Sequence, residues 1–351
     1  SMSSSDPAYV LKVIRERSEI VQTITDLASG TAAPNNRPAV GSFAFTNGAD
    51  GLSGLVVADY IGDANTGTGV HAFDVFVDFA MFATPDTTDP TVVAQASAWA
   101  LDHKAKPAHI VHIPQNSTHT DAVAYRRGTS PYSHTALDTS ITSFFYNWVE
   151  VEHASSKLPV MVPPTGEVFA AFARSVQAGG VFLSLAGPKR GRLSAAVRSL
   201  KFSVSPTQLD YLADNGINPI YKHPKYGFVI WGQKTAQKAD SALQRLNVRL
   251  LGSFFIVQIL GAIEDEQHEL NDEDLWRELR NRVTVFAETM QAKRAITYFS
   301  VVCDSSSNTL ASIAARETRI DFYFIATNTS EKQVLTLIYS PAGTTFSLSA
   351  A

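Results

Sequence analysis

Between residues 40 and about 195, apolar runs that predict strands alternate with segments that predict helices. The runs "FDVFVDFAMFATP" (73–85), "AHIVHIP" (108–114) and "SFFYNWVEVE" (143–152) are almost continuously apolar. The segment "DPTVVAQASAWALDHK" (89–104) predicts a helix with Asp89 as its N-cap and Pro90 at its first position. Strands that are apolar on both faces are typical of a parallel sheet covered by helices on both sides. The sequence therefore predicts an α/β fold with a mostly parallel sheet.

The pattern changes after residue 200. The segment "SPTQLDYLADNGINPIYK" (205–222) predicts a short helix, with Ser205 as cap and Gly216 as stop, that leads into a strand, and "YGFVIWG" (226–232) follows as a second strand. Two long helices follow, at about 238–263 and at 271–291, the second with Asn271 as cap. Their apolar stripes at helical spacing are Leu243, Leu246, Leu250, Phe254 and Val257, and then Leu275, Leu279, Val283, Phe286 and Met290.

Three further strands are predicted near the end of the sequence, "TYFSVVC" (297–303), "RIDFYFIAT" (319–327) and "KQVLTLIYS" (332–340). An amphipathic helix is predicted at 7–28. We therefore expect three parts: an N-terminal helix and linker (1–39), an α/β domain (40–200) and an α+β domain (201–351).

Composition excludes some classes of protein. The 351 residues carry 29 Lys and Arg against 33 Asp and Glu, so no global basic field favours nucleic acid or an anionic membrane. Cys303 is the single cysteine, which excludes an internal disulfide and a multi-cysteine metal site. The apolar stretch Leu250–Leu260 is too short to span a bilayer. Charged residues make up 18%, below the usual fraction of roughly 25%, which is a weak sign of assembly.

The sequence "RRGTSPYSHTALD" (126–138) resembles the nucleophile turn of subtilisin-like proteases, with Ser130 as the candidate nucleophile. Possible partners nearby are His109, His112, His119, His134, Asp121 and Asp138. A subtilisin-type triad also needs an Asp at the end of an early strand and a His on the next helix. Asp74 and Asp78 instead lie inside an apolar run, and His103 lies at the end of its helix. We therefore expect a solvated loop with a helix cap, and no catalytic residue.

Metal and cofactor sites are not predicted. His109 and His112 are three apart on a strand and point to opposite faces, while His119 and Asp121 lack a third ligand at a recognisable spacing. Ordinary surface histidines are expected. The acidic run Glu264–Asp274 lacks the alternating ligands of a calcium loop, so it predicts a solvated helix connection or a charged contact with a partner.

Two glycine-containing stretches could bind ligands. In "GDANTGTG" (62–69), Thr68 and Gly69 stand where a phosphate-binding loop needs Lys and Ser or Thr, so a surface turn is expected. In "HPKYGFVIWGQKT" (223–235), Trp231 beside Lys234 could stack on a ligand. We interpret this stretch as a core strand and turn whose glycines allow close packing.

Eight sequence motifs, in order, resemble contractile tail sheath proteins between about residues 46 and 340. They are "TNGADGLSGLVVADYIG", "MFATPDTTDPTVV", "FFYNWVEVE", "VPPTGEVFAAFAR", "DNGINPIYKHPKYGFVIWGQKTA", "LNVRLL", "NDEDLWRELRNRV" and "YFSVVCD". Each motif is loose by itself, but the ordered set is specific.

The resemblance implies a structural, non-enzymatic subunit without cofactors or metals. Its outer α/β domain would be subtilisin-like in fold but non-catalytic, and its C-terminal domain would face the tail tube. Such subunits join copies of themselves into a helical sheath by strand donation. The sheath contracts to drive the tube through the host envelope, using energy stored at assembly. Localisation would be the virion, after assembly in the host cytoplasm.

Two departures from the family pattern shape further expectations. Lys225 stands where the family usually has glycine, and no extended N-terminal arm precedes residue 40. We expect a truncated piece of a large sheath subunit that is monomeric in isolation. The alternatives are a degenerate subtilisin-like hydrolase and a small-ligand-binding module.

The C-terminal half is expected to supply the lattice contact. Lys332–Ser340 is apolar on both faces of a strand, as a donated strand would be. Glu273, Arg277 and Arg280 on the 272–291 helix are candidates for contact with the tube, and a solvated helix face is the alternative.

Overall fold

The computed structural model describes residues 10–17 and 54–331. The chain divides into two compact units, Ser1–Leu55 and Val56–Ala351. In the first unit the structure describes helix α1 (Val10–Arg17), which lies within the helix predicted at 7–28. The remainder of that helix and the strand predicted at 332–340 lie outside the described residues.

In the second unit the helices alternate with strands from α2 to β3. The helices are α2 (Val57–Ile61), α3 (Pro90–Asp102), α4 (His119–Arg127), α5 (Thr165–Ala178), α6 (Pro206–Asp214), α7 (Leu246–Ile263), α8 (Glu273–Ala292) and α9 (Leu310–Ala314). The strands are β1 (Met81–Ala83), β2 (Ala108–His112), β3 (Thr142–Tyr146), β4 (Val149–Glu152), β5 (Pro159–Val162), β6 (Ser199–Leu200), β7 (Ile217–His223), β8 (Gly227–Ile230), β9 (Ile296–Val302) and β10 (Asp321–Ala326).

Within the described residues, three sheets are formed. The largest has the order β1-β2-β3-β7-β8, in which neighbours from β1 to β7 are parallel and β8 is antiparallel to β7. This confirms the predicted mostly parallel sheet in an α/β arrangement. Strands β5-β4-β6 form a small antiparallel sheet, and β9 and β10 form an antiparallel ribbon.

The large sheet is covered on both faces, as its apolar strands predict. On β3, Phe144 packs with residues of α4 and α6, and the next residue, Phe145, packs with residues of α5 and α7. Both phenylalanines are completely buried. Successive strand residues point to opposite faces, so a strand in this position has to be apolar throughout.

The strand predicted at 73–85 is shorter than expected, since β1 covers only Met81–Ala83. A 3₁₀ turn occupies Gly69–Phe73, and Val75 is 79% exposed. The Asp74 carboxylate accepts a hydrogen bond from the Trp99 indole N–H at 2.7 Å. Phe79 stacks on the same indole. Attachment to Trp99 at both ends holds this apolar run out of the sheet, so the prediction for 73–80 was wrong.

The strand predicted at 143–152 is two strands in different sheets. Asn147 separates β3 from β4 and has a positive φ of 95°. Its amide nitrogen donates to the carbonyl oxygens of Phe202 (2.7 Å) and Ile220 (3.1 Å), and its amide oxygen accepts from the Phe202 N–H. Between β3 and β4, where the backbone pairing of β3 ends, the Asn147 side chain makes these hydrogen bonds in its place. Asparagine also tolerates the left-handed region of backbone conformation better than most residues do.

The predicted helix starts are partly confirmed. Asp89 caps α3 by accepting the Thr91 N–H, and Ser205 caps α6 in a capping box with Gln208. Helix α8 begins one residue later than predicted, because Asp272 caps it. Asn271 instead accepts a hydrogen bond from the Trp276 indole at 2.7 Å.

Helix α7 begins at Leu246, about eight residues later than predicted. A 3₁₀ turn at Ala242–Gln244 precedes it, and the Leu246 N–H donates to the carbonyl oxygen of Gln233. The segment Leu246–Glu266 is long and apolar enough, by length and composition only, to cross a membrane. Its buried residues lie in the first part of the helix, as far as Phe255, whereas Leu260 is 49% exposed. Its buried residues Leu246 and Leu250 pack with the large sheet, and Leu251 and Phe255 pack with β9 and β10.

The predicted domain boundary at residue 200 lies within the range of the large sheet, because β7 and β8 pair beside β3. The three-part division of the chain remains a prediction.

Gly232 provides a test of the packing beside β7. A Cβ at this position would lie 2.6 Å from Asn218 Oδ1 and 2.9 Å from Asn218 Cα. We expect Gly232→Ala to lower the free energy of unfolding by about 2 kcal/mol, because backbone cannot move aside cheaply. Chemical denaturation measures this effect.

Gly166→Ala in α5 is the control, since a Cβ there meets no atom within 4 Å. It should leave stability unchanged or raise it by up to about 1 kcal/mol. Equal effects of the two substitutions would contradict this packing argument.

Candidate functional site

Ser130 does not lie in a nucleophile turn. Helix α4 ends at Arg127, and Gly128 closes it in the left-handed conformation (φ 66°). "GTS" therefore follows a helix end, whereas the subtilisin-like motif requires a helix start. Ser130 is exposed, and within the described part of the chain no histidine hydrogen-bonds to it. The loop with a helix cap agrees with the sequence prediction.

His119 and Asp121 have local structural roles at the start of α4. Asp121 forms a capping box with Thr118, accepting its backbone N–H at 3.0 Å and its hydroxyl at 2.7 Å. These two bonds lower the pKa of the Asp121 carboxyl. His119 contacts Gln208 and Tyr211 of α6. In the ranges 10–17 and 54–331, no group of three His, Cys, Asp or Glu side chains could hold a metal ion.

The expectation of surface histidines was wrong for His109 and His112, which are 0% and 2% exposed. His109 stacks on Phe82 with ring centroids 4.4 Å apart, whereas His112 meets the Trp148 ring edge-on. Their different surroundings agree with the predicted opposite faces. Burial lowers the pKa of His109 to about 3 and that of His112 to about 4.

His109 belongs to a buried hydrogen-bond network that the sequence did not indicate. Its Nδ1 lies 3.0 Å from Ser97 Oγ, and its Nε2 lies 3.4 Å from Thr84 Oγ1. The Ser97 hydroxyl donates its proton to the Val93 carbonyl oxygen (2.7 Å), so it accepts from His109 Nδ1–H. Because burial lowers the pKa of His109 to about 3, the imidazole is neutral at pH 7. A Ser–His contact this deeply buried gives no access to a substrate, and we assign it a role in packing.

The acidic run Glu264–Asp274 connects α7 to α8, as predicted. Glu266 and Glu278 both pair with Arg282 of α8, and Asp272 caps that helix. The other surface predicted from sequence, Glu273, Arg277 and Arg280, lies along the same helix. Arg277 is paired with Asp274 at 2.6 Å.

The stretch 223–235 combines a core strand with an exposed aromatic cluster. Val229 and Ile230 are completely buried, which confirms the core strand, but Trp231 is 43% exposed. The Trp231 ring contacts Tyr221 and His223. Segment 187–193 runs along the outer edge of β8: Ile230 N–H donates to Gly191 O, and Leu193 N–H donates to Phe228 O. No further strand can be added to β8 at these positions.

The ribbon β9–β10 has one buried and one exposed face. Phe322 and Phe324 of β10 pack against Phe255 of α7, with ring centroids 5.2 and 4.8 Å away. On the other face, Tyr298, opposite Ile325, is 58% exposed, and Tyr323 is 60% exposed. Within the described ranges these two strands pair only with each other. The ribbon therefore offers apolar side chains and unpaired backbone groups to a partner.

The fold matches that of contractile sheath structures. The contracted helical sheath of the anti-feeding prophage matches with a TM-score of 0.62 and 20% identity, over 79% of this chain and 76% of that one. The contracted sheath complex of an extracellular contractile injection system, PVC, matches with a TM-score of 0.64 and 16% identity, over 77% of this chain and 75% of that one. At these identities the likeness concerns the fold.

In sequence the chain is similar to phage tail sheath proteins. It is 31% identical over 147 residues to the tail sheath protein of Vibrio phage KVP40, covering 42% of this chain and 22% of that protein. It is 26% identical over 185 residues to that of Enterobacteria phage T4, covering 53% and 28%. The chain thus matches about a quarter of the length of these curated relatives. No family model matches the chain. The predicted resemblance to tail sheath proteins is confirmed.

The exposed position of Ser130 predicts that its side chain is not needed for folding. We expect Ser130→Ala, and separately His119→Ala, to leave the fold unchanged, because Ser130 is exposed and His119 makes only a long contact with Gln208 and an edge contact with Tyr211. Circular dichroism and labelling with a serine-reactive probe would measure this. Labelling of the natural chain that disappears in Ser130→Ala would instead support a hydrolase.

Because His109 and His112 are buried, we predict that the free energy of unfolding decreases at acidic pH. An unfolded histidine binds a proton below about pH 6.5, whereas folded His109, with a pKa of about 3, does not. Stability from this group is therefore fully present above pH 6.5 and falls as pH decreases towards 3. At pH 4 the loss for His109 is about 3 kcal/mol relative to pH 7.

Urea unfolding at pH 7 and pH 4 would measure this loss. His109→Gln should reduce the difference between the two pH values, because glutamine stays neutral. His153→Gln controls for removal of an exposed histidine. An unchanged difference in His109→Gln would exclude His109 as its source.

Proposed function

We propose that this chain is part of a structural subunit of a contractile phage tail sheath. The subunit would polymerise around the tail tube and contract to drive the tube through the host envelope. The observation that carries this proposal is the β9–β10 ribbon, considered together with the relatives named above. A two-stranded ribbon that packs on one face and leaves two edges and an apolar face open is suited to completion by other strands.

Strand donation supplies the physical mechanism. A strand added to the edge of β9 or β10 would satisfy the unpaired N–H and C=O groups there. Its side chains would pack beside Tyr298 if it joined β9, or beside Tyr323 and Ile325 if it joined β10. The described part of the chain ends at Glu331, which pairs with Arg245 at 2.7 Å. Residues 332–340, apolar on both strand faces, follow directly. They are the segment that we propose is donated.

The proposed partners are copies of the same subunit and the tail tube protein. In a helical lattice each subunit contacts several neighbours at once, and these contacts together bind far more strongly than a single contact does. A single contact between two isolated chains would be weak, so we propose that the isolated chain is monomeric. Glu273, Arg277 and Arg280 of α8 are proposed to face the tube. The proposed location is the virion, after assembly in the host cytoplasm. The outer part is proposed to be subtilisin-like without protease activity.

Leu337→Pro in the full-length subunit tests strand donation. Proline removes a backbone donor and distorts an added strand, so we expect the subunit to fold but not to form sheaths. Electron microscopy would score polymerisation, and circular dichroism would score folding.

Leu337→Ile is the matched control, because isoleucine keeps the donor and favours strands. It should assemble normally. Normal sheaths from the proline variant would show that this segment is not a lattice strand.

A further inference from the structure

A cleft of about 530 Å³ lies where the carboxyl ends of α4 and α6 meet the segment 234–244. Four cationic side chains and two carboxylates are among the residues that line it: Arg126, Arg127, Lys234, Lys238, Asp138 and Asp214. The lining therefore has an excess of two positive charges. The proposed sheath function does not use this cleft, and two of its lining residues, Asp138 and Lys234, are sequence candidates only for other roles.

Arg126 is the most buried of the charged residues that line the cleft. Only 9% of this residue is exposed, and its Nη2 donates to the carbonyl oxygen of Ala236. Its Nε has no hydrogen-bond partner among the described residues, and no described carboxylate lies within 4.0 Å of its guanidinium. Burial lowers the pKa of Arg126, and the charge of Asp138 partly opposes this effect. A buried positive charge without a contacting anion is unfavourable, and a bound anion would offset its desolvation.

The neighbouring residues bring a second guanidinium to the same place. Arg127 is more exposed, and its Nη2 donates to Asn215 Oδ1. Gly216 adopts a positive φ of 67°, and a Cβ there would lie 3.3 Å from Arg126 Cζ. Glycine thus allows the chain to turn closely over the buried guanidinium while Arg127 stays at the rim.

We propose that this cleft binds a small oxyanion, held by the guanidinium groups of Arg126 and Arg127. Guanidinium groups present planar sets of N–H donors that match the oxygens of phosphate and carboxylate groups. Among the described lining residues none is aromatic, so the cleft has no stacking surface for a nucleotide base. The class of ligand is therefore a phosphate or a small polycarboxylate. This inference does not depend on the proposed sheath function.

Thermal unfolding of the 351-residue chain at pH 7.5 tests the proposal, with 10 mM phosphate or 10 mM citrate compared with chloride at equal ionic strength. We expect at least one of the two oxyanions to raise the melting temperature by about 2 °C, since a ligand that binds only the folded state stabilises it. A response to phosphate alone identifies a phosphate site, and a response to citrate alone identifies a carboxylate site. No rise with either oxyanion would overturn the proposal.

Arg127→Gln should abolish that rise, and isothermal titration should show binding at least about 10-fold weaker. Arg277→Gln on α8, an exposed arginine away from the cleft, is the matched control and should keep the natural response. If Arg127→Gln does not fold, Arg127→Lys keeps the charge, loses the planar fork and should still weaken binding. Equal shifts in the natural chain and in a folded Arg127 variant would indicate a general salt effect and overturn the assignment.

Discussion

The burial of β3 on both faces is the constraint on which the rest of the second unit depends. Phe144 and Phe145 are adjacent and fully buried, so helices have to cover the sheet from both sides. Parallel pairing on either side of β3 makes each neighbouring strand return through a crossover. These crossovers contain α4, α5 and α6, whereas α7 follows β8 and completes the cover around Phe145. The buried core on both faces of the sheet follows from this arrangement.

Much of this fold could be predicted because its signals are local. The start of α3 is marked by Asp89 followed by Pro90, and the start of α6 by Ser205 with Gln208 three residues later. Each signal lies within four residues of sequence. The apolar stripe of α8 and the alternation of β10 are likewise periodic over short segments. The predicted strand bounds were wrong where a polar contact with a residue distant in sequence ended or displaced a strand.

The candidate sites likewise differ according to whether they depend on local sequence or on contacts between distant residues. For Ser130 the sequence predicted a loop with a helix cap, and the structure places this residue just after the end of α4. The network around His109 could not be predicted, since Thr84 and Ser97 reach it only after folding. The fate of residues 73–80 depended on Trp99, and the corner at Asn147 depended on carbonyl groups more than fifty residues away. Sequence patterns contain information on periodicity and on local chemistry. They do not show which residues distant in sequence will come into contact.

Helix α7 contributes side chains to two hydrophobic cores, with Leu246 and Leu250 in one and Leu251 and Phe255 in the other. Because both cores are close-packed, α7 has little freedom to slide relative to either of them. Separating the ribbon from the parallel sheet would therefore require one of the two cores to open around this helix.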